Sequence, residues 1–151
     1  MLRLFNFLSP LAIVLWVGGL WAIGFVAAPV AFNVLADRVL AGQVAGQMFT
    51  VMAWIGMGSA GVLLIWTFAA RGWRAFQTAA FWIVFFMLLL TLLGYFGIQP
   101  ILATIKAEGA IRDVAEELTR SRFAVWHGIA SVIYVIECVL GFWLVFAQRK
   151  I

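Results

Sequence analysis

The sequence predicts an all-α integral membrane protein, a four-helix bundle with a short amphipathic helix between its third and fourth spans. Two observations carry that prediction. Four apolar runs each reach the ~20 residues an α-helix needs to cross a ~30 Å hydrocarbon core. Of the 151 residues, 66% are hydrophobic and only 11% are charged, whereas about a quarter of a soluble domain is charged. The runs fall at about 10–32, 47–70, 75–98 and 123–147, within a single membrane domain.

The first run begins at Pro10, a residue suited to the first helical turn because its missing N–H would be unpaired there anyway. Gly18, Gly19, Ala22, Ala27, Ala28 and Ala31 are small enough to let a neighbouring helix approach closely. The run is too long for a signal-peptide core, and Pro29 follows its small-residue stretch, so it reads as a retained helix. Pro29 is expected to kink or end it. A polar link from Asn33 to Gly46 follows.

The second run carries Gly56, Gly58, Ser59, Ala60 and Gly61 in its middle, a composition for tight packing. Arg71-Gly72-Trp73-Arg74 is short enough to make runs two and three an antiparallel hairpin. The third run is the most uniformly apolar, above all from Phe81 to Leu90, as expected of a helix much of which faces lipid. Gln99-Pro100 marks its end or a kink. In the longest connection Ile111, Val114, Ala115 and Leu118 recur at helical spacing. Arg112, Glu116 and Arg120 form i,i+4 charge pairs on the other side, hence the short amphipathic helix.

Four spans place both ends of the chain on one side. Lys and Arg divide equally, with Arg3, Arg71, Arg74, Arg149 and Lys150 on that side and Arg38, Lys106, Arg112, Arg120 and Arg122 on the other. Five of the acids neutralise the second side. The expectation is therefore cytoplasmic termini, in a bacterial inner (plasma) membrane. The surroundings implied are the lipid bilayer, with a homo-oligomer or a membrane partner possible. The net charge of +4 is scattered in ones and twos at segment ends, so it makes no nucleic-acid-binding stripe. One cysteine cannot form an internal disulfide.

The fourth run holds the chain's chemistry. It contains the only histidine, His127, the only cysteine, Cys138, and the only acid inside an apolar run, Glu137. At roughly 100° per residue, His127, Ser131, Tyr134 and Cys138 lie within roughly 60° of one another. Glu137 falls near mid-bilayer, where an acid costs at least ~2.5 kcal/mol on insertion scales. It should be neutral, paired, or open to a water-filled cavity.

Several pieces together resemble a family. They are Ala28-Pro29-x-x-Phe32, Ala41-Gly42, Phe49, Gln99-Pro100 and Phe123-x-x-x-His127-Gly128-x-x-Ser131. In order and spacing this set is similar to the largely uncharacterised family that includes transmembrane protein 205. Tyr134 stands where some of its members carry Asn. The resemblance implies a compact four-helix membrane domain and a link to tolerance of platinum compounds. It also implies a more distant likeness to the membrane domains of copper-resistance proteins and to a small haem-dependent protoporphyrinogen oxidase.

Candidate chemistry follows from residue types. Met48, Met52 and His127 are soft ligands of the kind that suit Cu(I). Met48 and His127 both open spans on the same side, although methionines at helical spacing also serve as core filler. His127 alone could serve as an axial haem ligand, and a single histidine argues against the usual zinc site. Arg38, Gln99 and Ser131 could line a polar mouth with His127, while Tyr134, Glu137 and Cys138 lie a turn or two deeper. Conventional hydrolase or nucleotide chemistry lacks its motifs, and an enzyme is not the favoured class. The leading expectation is transport or tolerance of a small cation or soft metal such as copper. A haem-binding oxidoreductase and a non-catalytic assembly subunit are the alternatives.

Overall fold

A computed structural model describes residues 2–111 and 116–147 as backbone, with side chains over 7–107 and 120–147. Nearly all of the described chain is helical, in four rods. The first, α1, joins Leu2–Ile13, a π-helical stretch Val14–Gly18, Gly19–Ala22, a second π stretch Ile23–Ala27, and Ala28–Val34. The second, α2, is Arg38–Arg71. The third, α3, joins Ala79–Leu92, a π stretch Leu93–Ile98 and Gln99–Ile111, and α4 is Glu116–Ala147. Four segments are long and apolar enough to cross a membrane: Phe7–Val34, Arg38–Gln77, Ala79–Ala107 and Arg120–Ala147, with mean hydropathy between 1.9 and 2.3. Only 22–28% of their most apolar windows is buried inside the molecule. Much of the remaining surface is Val, Leu, Ile, Phe and Trp, which suits lipid and not water.

The helices extend past the expected spans for physical reasons. Asp37 caps α2, its Oδ1 accepting from Val39 N at 2.8 Å, which satisfies an orphan donor of the first turn. The polar link expected from Asn33 to Gly46 therefore contracts to the residues just before Arg38. Gly42 and Gly46 do not break the helix, because Ala41 and Ala45, one turn apart, are buried and hold that face against the bundle. At the other end α3 runs straight through Gln99-Pro100. The short amphipathic helix expected around Ile111–Leu118 has its centre, 112–115, outside the described residues. Its flanks are continuous with α3 and α4.

Two prolines share a local solution. Pro29 and Pro100 each follow a π stretch, Ile23–Ala27 and Leu93–Ile98 respectively. A proline inside a helix gives no N–H and crowds the carbonyl one turn earlier, here Phe25 and Phe96. Both carbonyls lie inside the wider π turns, which relieve that crowding. Neither proline ends its helix.

The connection from α2 to α3 is a tight 3₁₀ stretch, Gly72–Gln77. Gly72 has φ +54° and ψ −137°, a positive-φ conformation that glycine, lacking a Cβ, adopts without strain. Thr78 then caps α3, accepting from Phe81 N at 3.4 Å. Trp73, 80% exposed, stands between Arg71 and Arg74 and packs on Phe68 and Phe76. This aromatic and basic rim has the composition of a membrane–water interface.

The core is narrow and centres on Trp16 and Met87, both 0% exposed, with Leu63 and Leu144 toward the terminal side. Gly56 admits the indole: a Cβ there would lie 2.7 Å from Trp16 Nε1. Lipid gives no hydrophobic drive for helix association, so close backbone approach of this kind has to supply the packing.

Candidate functional site

Helical spacing turns Tyr134, Glu137, Cys138 and Gly141 of α4 inward, and Glu137 is only 5% exposed. Thr91 of α3 meets it: Thr91 Oγ1 lies 2.6 Å from Glu137 Oε1 and also 2.9 Å from the Met87 carbonyl oxygen. From α1, the Trp16 indole faces the same carboxyl without reaching hydrogen-bond geometry, so its buried Nε1–H has no partner. At 1.5 Å per residue, these groups lie about 14–18 Å from the terminal ends of their spans, near the middle of a bilayer. No basic side chain among the described residues acts on the acid.

One turn toward the opposite face, α1 and α4 exchange hydrogen bonds. Tyr134 Oη donates to the Leu20 carbonyl at 2.5 Å, and Trp21 Nε1 donates to the Cys138 carbonyl at 3.3 Å. The phenol ring lies against Gly24, where any side chain would collide with it. It also packs edge-on to Phe49 of α2, with ring centroids 5.1 Å apart. Tyr134 is thus a structural clasp between helices as well as a neighbour of Glu137.

The residues expected at the mouth do not gather in the same way. His127 is exposed, and its ring stacks on Phe123 with centroids 5.6 Å apart and planes at 10°. The other side of that story is Lys106 of α3, whose Nζ lies 5.5 Å from the Phe123 ring centroid, a cation–π distance. Ser131 Oγ donates to the His127 carbonyl at 2.8 Å, so its hydroxyl is committed to its own helix. Gln99 reaches across to α2, where Thr50 Oγ1 lies 3.5 Å from its Oε1. Arg38 is exposed at the first turn of α2.

The soft-ligand trio is distributed over different surroundings. Met52 is 2% exposed and packed on α1, where a Cβ on Gly19 would lie 2.5 Å from its Sδ. Met48 is half-buried and lines an open groove of about 660 Å³ with Ile23, Leu40, Gln43, Gln47 and Val51. His127 is not among the groove's lining residues. Among the described residues, no group of three or more His, Cys, Asp and Glu is placed to hold a metal.

Sequence reasoning missed Thr91, Trp16 and Lys106. Thr91 had a signal, as the single hydroxyl in the run from Phe81 to Gly94. Trp16 had a weaker one, a tryptophan well inside a span and away from the interfaces where that residue concentrates. Lys106 had none, because its role depends on which helix face meets Phe123.

A family model described as a domain of unknown function (DUF4149) matches residues 11–111. That stretch includes Trp16 and Thr91 but stops before α4, so Glu137 and His127 lie beyond it. The match brings an uncharacterised family and does not itself carry the likeness to transmembrane protein 205. No curated protein and no solved structure matches the chain.

Proposed function

The chain belongs to the DUF4149 family of domains of unknown function, and we propose that it conducts a small cation across the membrane with Glu137 as the inner station. The observation that supports this is an acid buried at mid-span with no basic partner among the described residues. Such a residue is expensive to place in lipid and characteristically marks an ion or proton pathway. Glu137 meets one hydroxyl and one indole, groups that hold it without neutralising it.

In this proposal the way in lies on the face carrying His127, Gln99 and Thr50, and Tyr134 stands between that face and the acid. The π stretches of α1 and α3 lie at the same level and supply loosened backbone beside the route. Tolerance of a soft metal is the extended form of the proposal, with His127 and Met48 as the outer ligands. It requires the side chains around Met48 to rearrange toward His127.

Flux assays on purified protein in liposomes test the proposal, with interior dyes reporting protons, potassium or copper(I) under an imposed potential. The wild-type chain is expected to pass at least one of these ions, and Glu137→Gln to lose most of that flux while inserting normally. Equal flux in the two proteins, or none in the wild type, would overturn it. An absorption spectrum of the same preparation addresses haem, since a Soret band lost in His127→Ala would replace this proposal with the oxidoreductase alternative.

A further inference from the structure

We infer that the cation held at Glu137 is a proton, and that the bundle in this conformation is the proton-loaded form; the inference rests on the proposed function only for its link to transport. It is carried by a donor count at Thr91. The hydroxyl of Thr91 has one hydrogen, yet its oxygen lies 2.9 Å from the Met87 carbonyl and 2.6 Å from Glu137 Oε1. The carbonyl can only accept. If both contacts are hydrogen bonds, the proton between Thr91 and Glu137 comes from Glu137, which is then a neutral carboxylic acid.

The alternative is an ionised Glu137 that accepts from Thr91. A distance of 2.6 Å suits either arrangement, so the surroundings decide. The titratable groups nearest the carboxyl are Tyr134 and Cys138 on its own helix. From the other helices it faces Trp16 of α1, with Gly56 of α2 behind the indole, and Thr91 of α3, which is itself bonded to the Met87 carbonyl. None of these carries positive charge. A carboxylate here would be a net charge at mid-bilayer with one hydrogen bond to support it, which lipid penalises heavily.

The neutral acid completes the local accounting. Glu137 donates to Thr91, Thr91 donates to Met87, and the acid's second oxygen is left as the acceptor toward which the unpartnered Trp16 N–H can relax. No donor is then stranded in a dry core, where an unmet one is costly. A metal ion finds the opposite. The Trp16 N–H is a donor with no lone pair to give, the Tyr134 hydroxyl is engaged with Leu20, and among the described residues no group of three or more His, Cys, Asp and Glu forms a metal site around Glu137.

Infrared spectra of the full chain in lipid nanodiscs at neutral pH read this state directly. The other five acids lie outside the apolar spans in the sequence and contribute carboxylate bands there. The wild type is expected to show one protonated-carboxyl C=O band, shifted by D₂O and absent from Glu137→Gln. In Thr91→Val the band should persist at a shifted frequency, because the acceptor of its O–H is gone. Adding copper(I) or sodium should leave it in place. A wild-type spectrum without that band, or a Glu137→Gln difference that removes a carboxylate band instead, would overturn the inference. Should Glu137→Gln fail to fold, ¹³C-glutamate labelling of the wild type identifies the same band by its isotope shift. A band without any flux sinks the transport proposal and leaves this inference standing, whereas flux without the band does the reverse.

Discussion

Glu137 and His127 stand ten residues apart on α4, about 15 Å along the helix, and their surroundings share almost nothing. Around Glu137 the hydrogen-bonding hydroxyl and the facing indole come from other helices: Thr91 from α3 and Trp16 from α1, with Gly56 of α2 making room for the indole. Around His127 the contacts are largely local, Phe123 and Ser131 on the same helix, with Lys106 reaching in from α3. The deep region thus depends on the register of the whole bundle, while the mouth depends on one helix and its neighbour. Change in the first should therefore be felt through the fold, and change in the second should be felt only by what arrives there.

The largest effect that separates the two regions is expected from Trp16→Ala. The indole is wholly buried, and truncating such a side chain costs about 3–5 kcal/mol in water-soluble cores. Lipid lowers the transfer part of that figure but not the cavity part, so ~2–3 kcal/mol is expected in a thermal or chemical unfolding series in micelles. The same variant should leave His127 and its stacking on Phe123 unaltered, which histidine NMR shifts would report. A loss below about 1 kcal/mol would mean that the deep region is not the structural centre of the bundle.

Much of this contrast was visible in the residues, but unevenly. The four spans were legible because a bilayer permits few ways to satisfy a backbone, so long apolar runs have to be helices. Glu137 was legible because its energetic cost is a property of depth alone. The start of α2 was not, although Asp37 is an ordinary cap: Gly42 and Gly46 look like breakers until Ala41 and Ala45 are seen to be buried. The π stretches have no residue signature beyond the prolines that follow them. The partners of Glu137 were hidden for a different reason. Thr91 and Trp16 meet it only when three helices share one register, and spacing within a helix says nothing about that. The mouth misled in the opposite direction, since Met48, Met52 and His127 match in type and level yet face different neighbours.

An intermediate effect is expected from Tyr134→Phe, which lies between the regions. It deletes the hydrogen bond to the Leu20 carbonyl and keeps the ring against Gly24 and Phe49. Interhelical hydrogen bonds in membranes are worth about 0.6 kcal/mol on average and up to ~1.7 kcal/mol. The bond is short and closes the α1–α4 seam, so the upper half of that range is expected. If the clasp also restrains passage from the mouth to Glu137, its loss should raise ion flux while stability falls. Lower flux would instead make the phenol part of the path.

The smallest effect is expected at the mouth, and it is informative because it should be small. His127→Ala removes an exposed ring that stacks on Phe123. A surface change of this kind should move stability by no more than about 0.5 kcal/mol. Lys106→Met removes the cation over the same Phe123 ring, a contact worth about 0.5–1 kcal/mol when exposed. If the two residues act independently through Phe123, the double variant should lose the sum of the single losses. If instead they form a working mouth, the double variant should depart from additivity in flux and not in stability. A stability loss above about 1 kcal/mol from His127→Ala alone would erase the contrast, making the mouth as much a part of the fold as the acid beneath it.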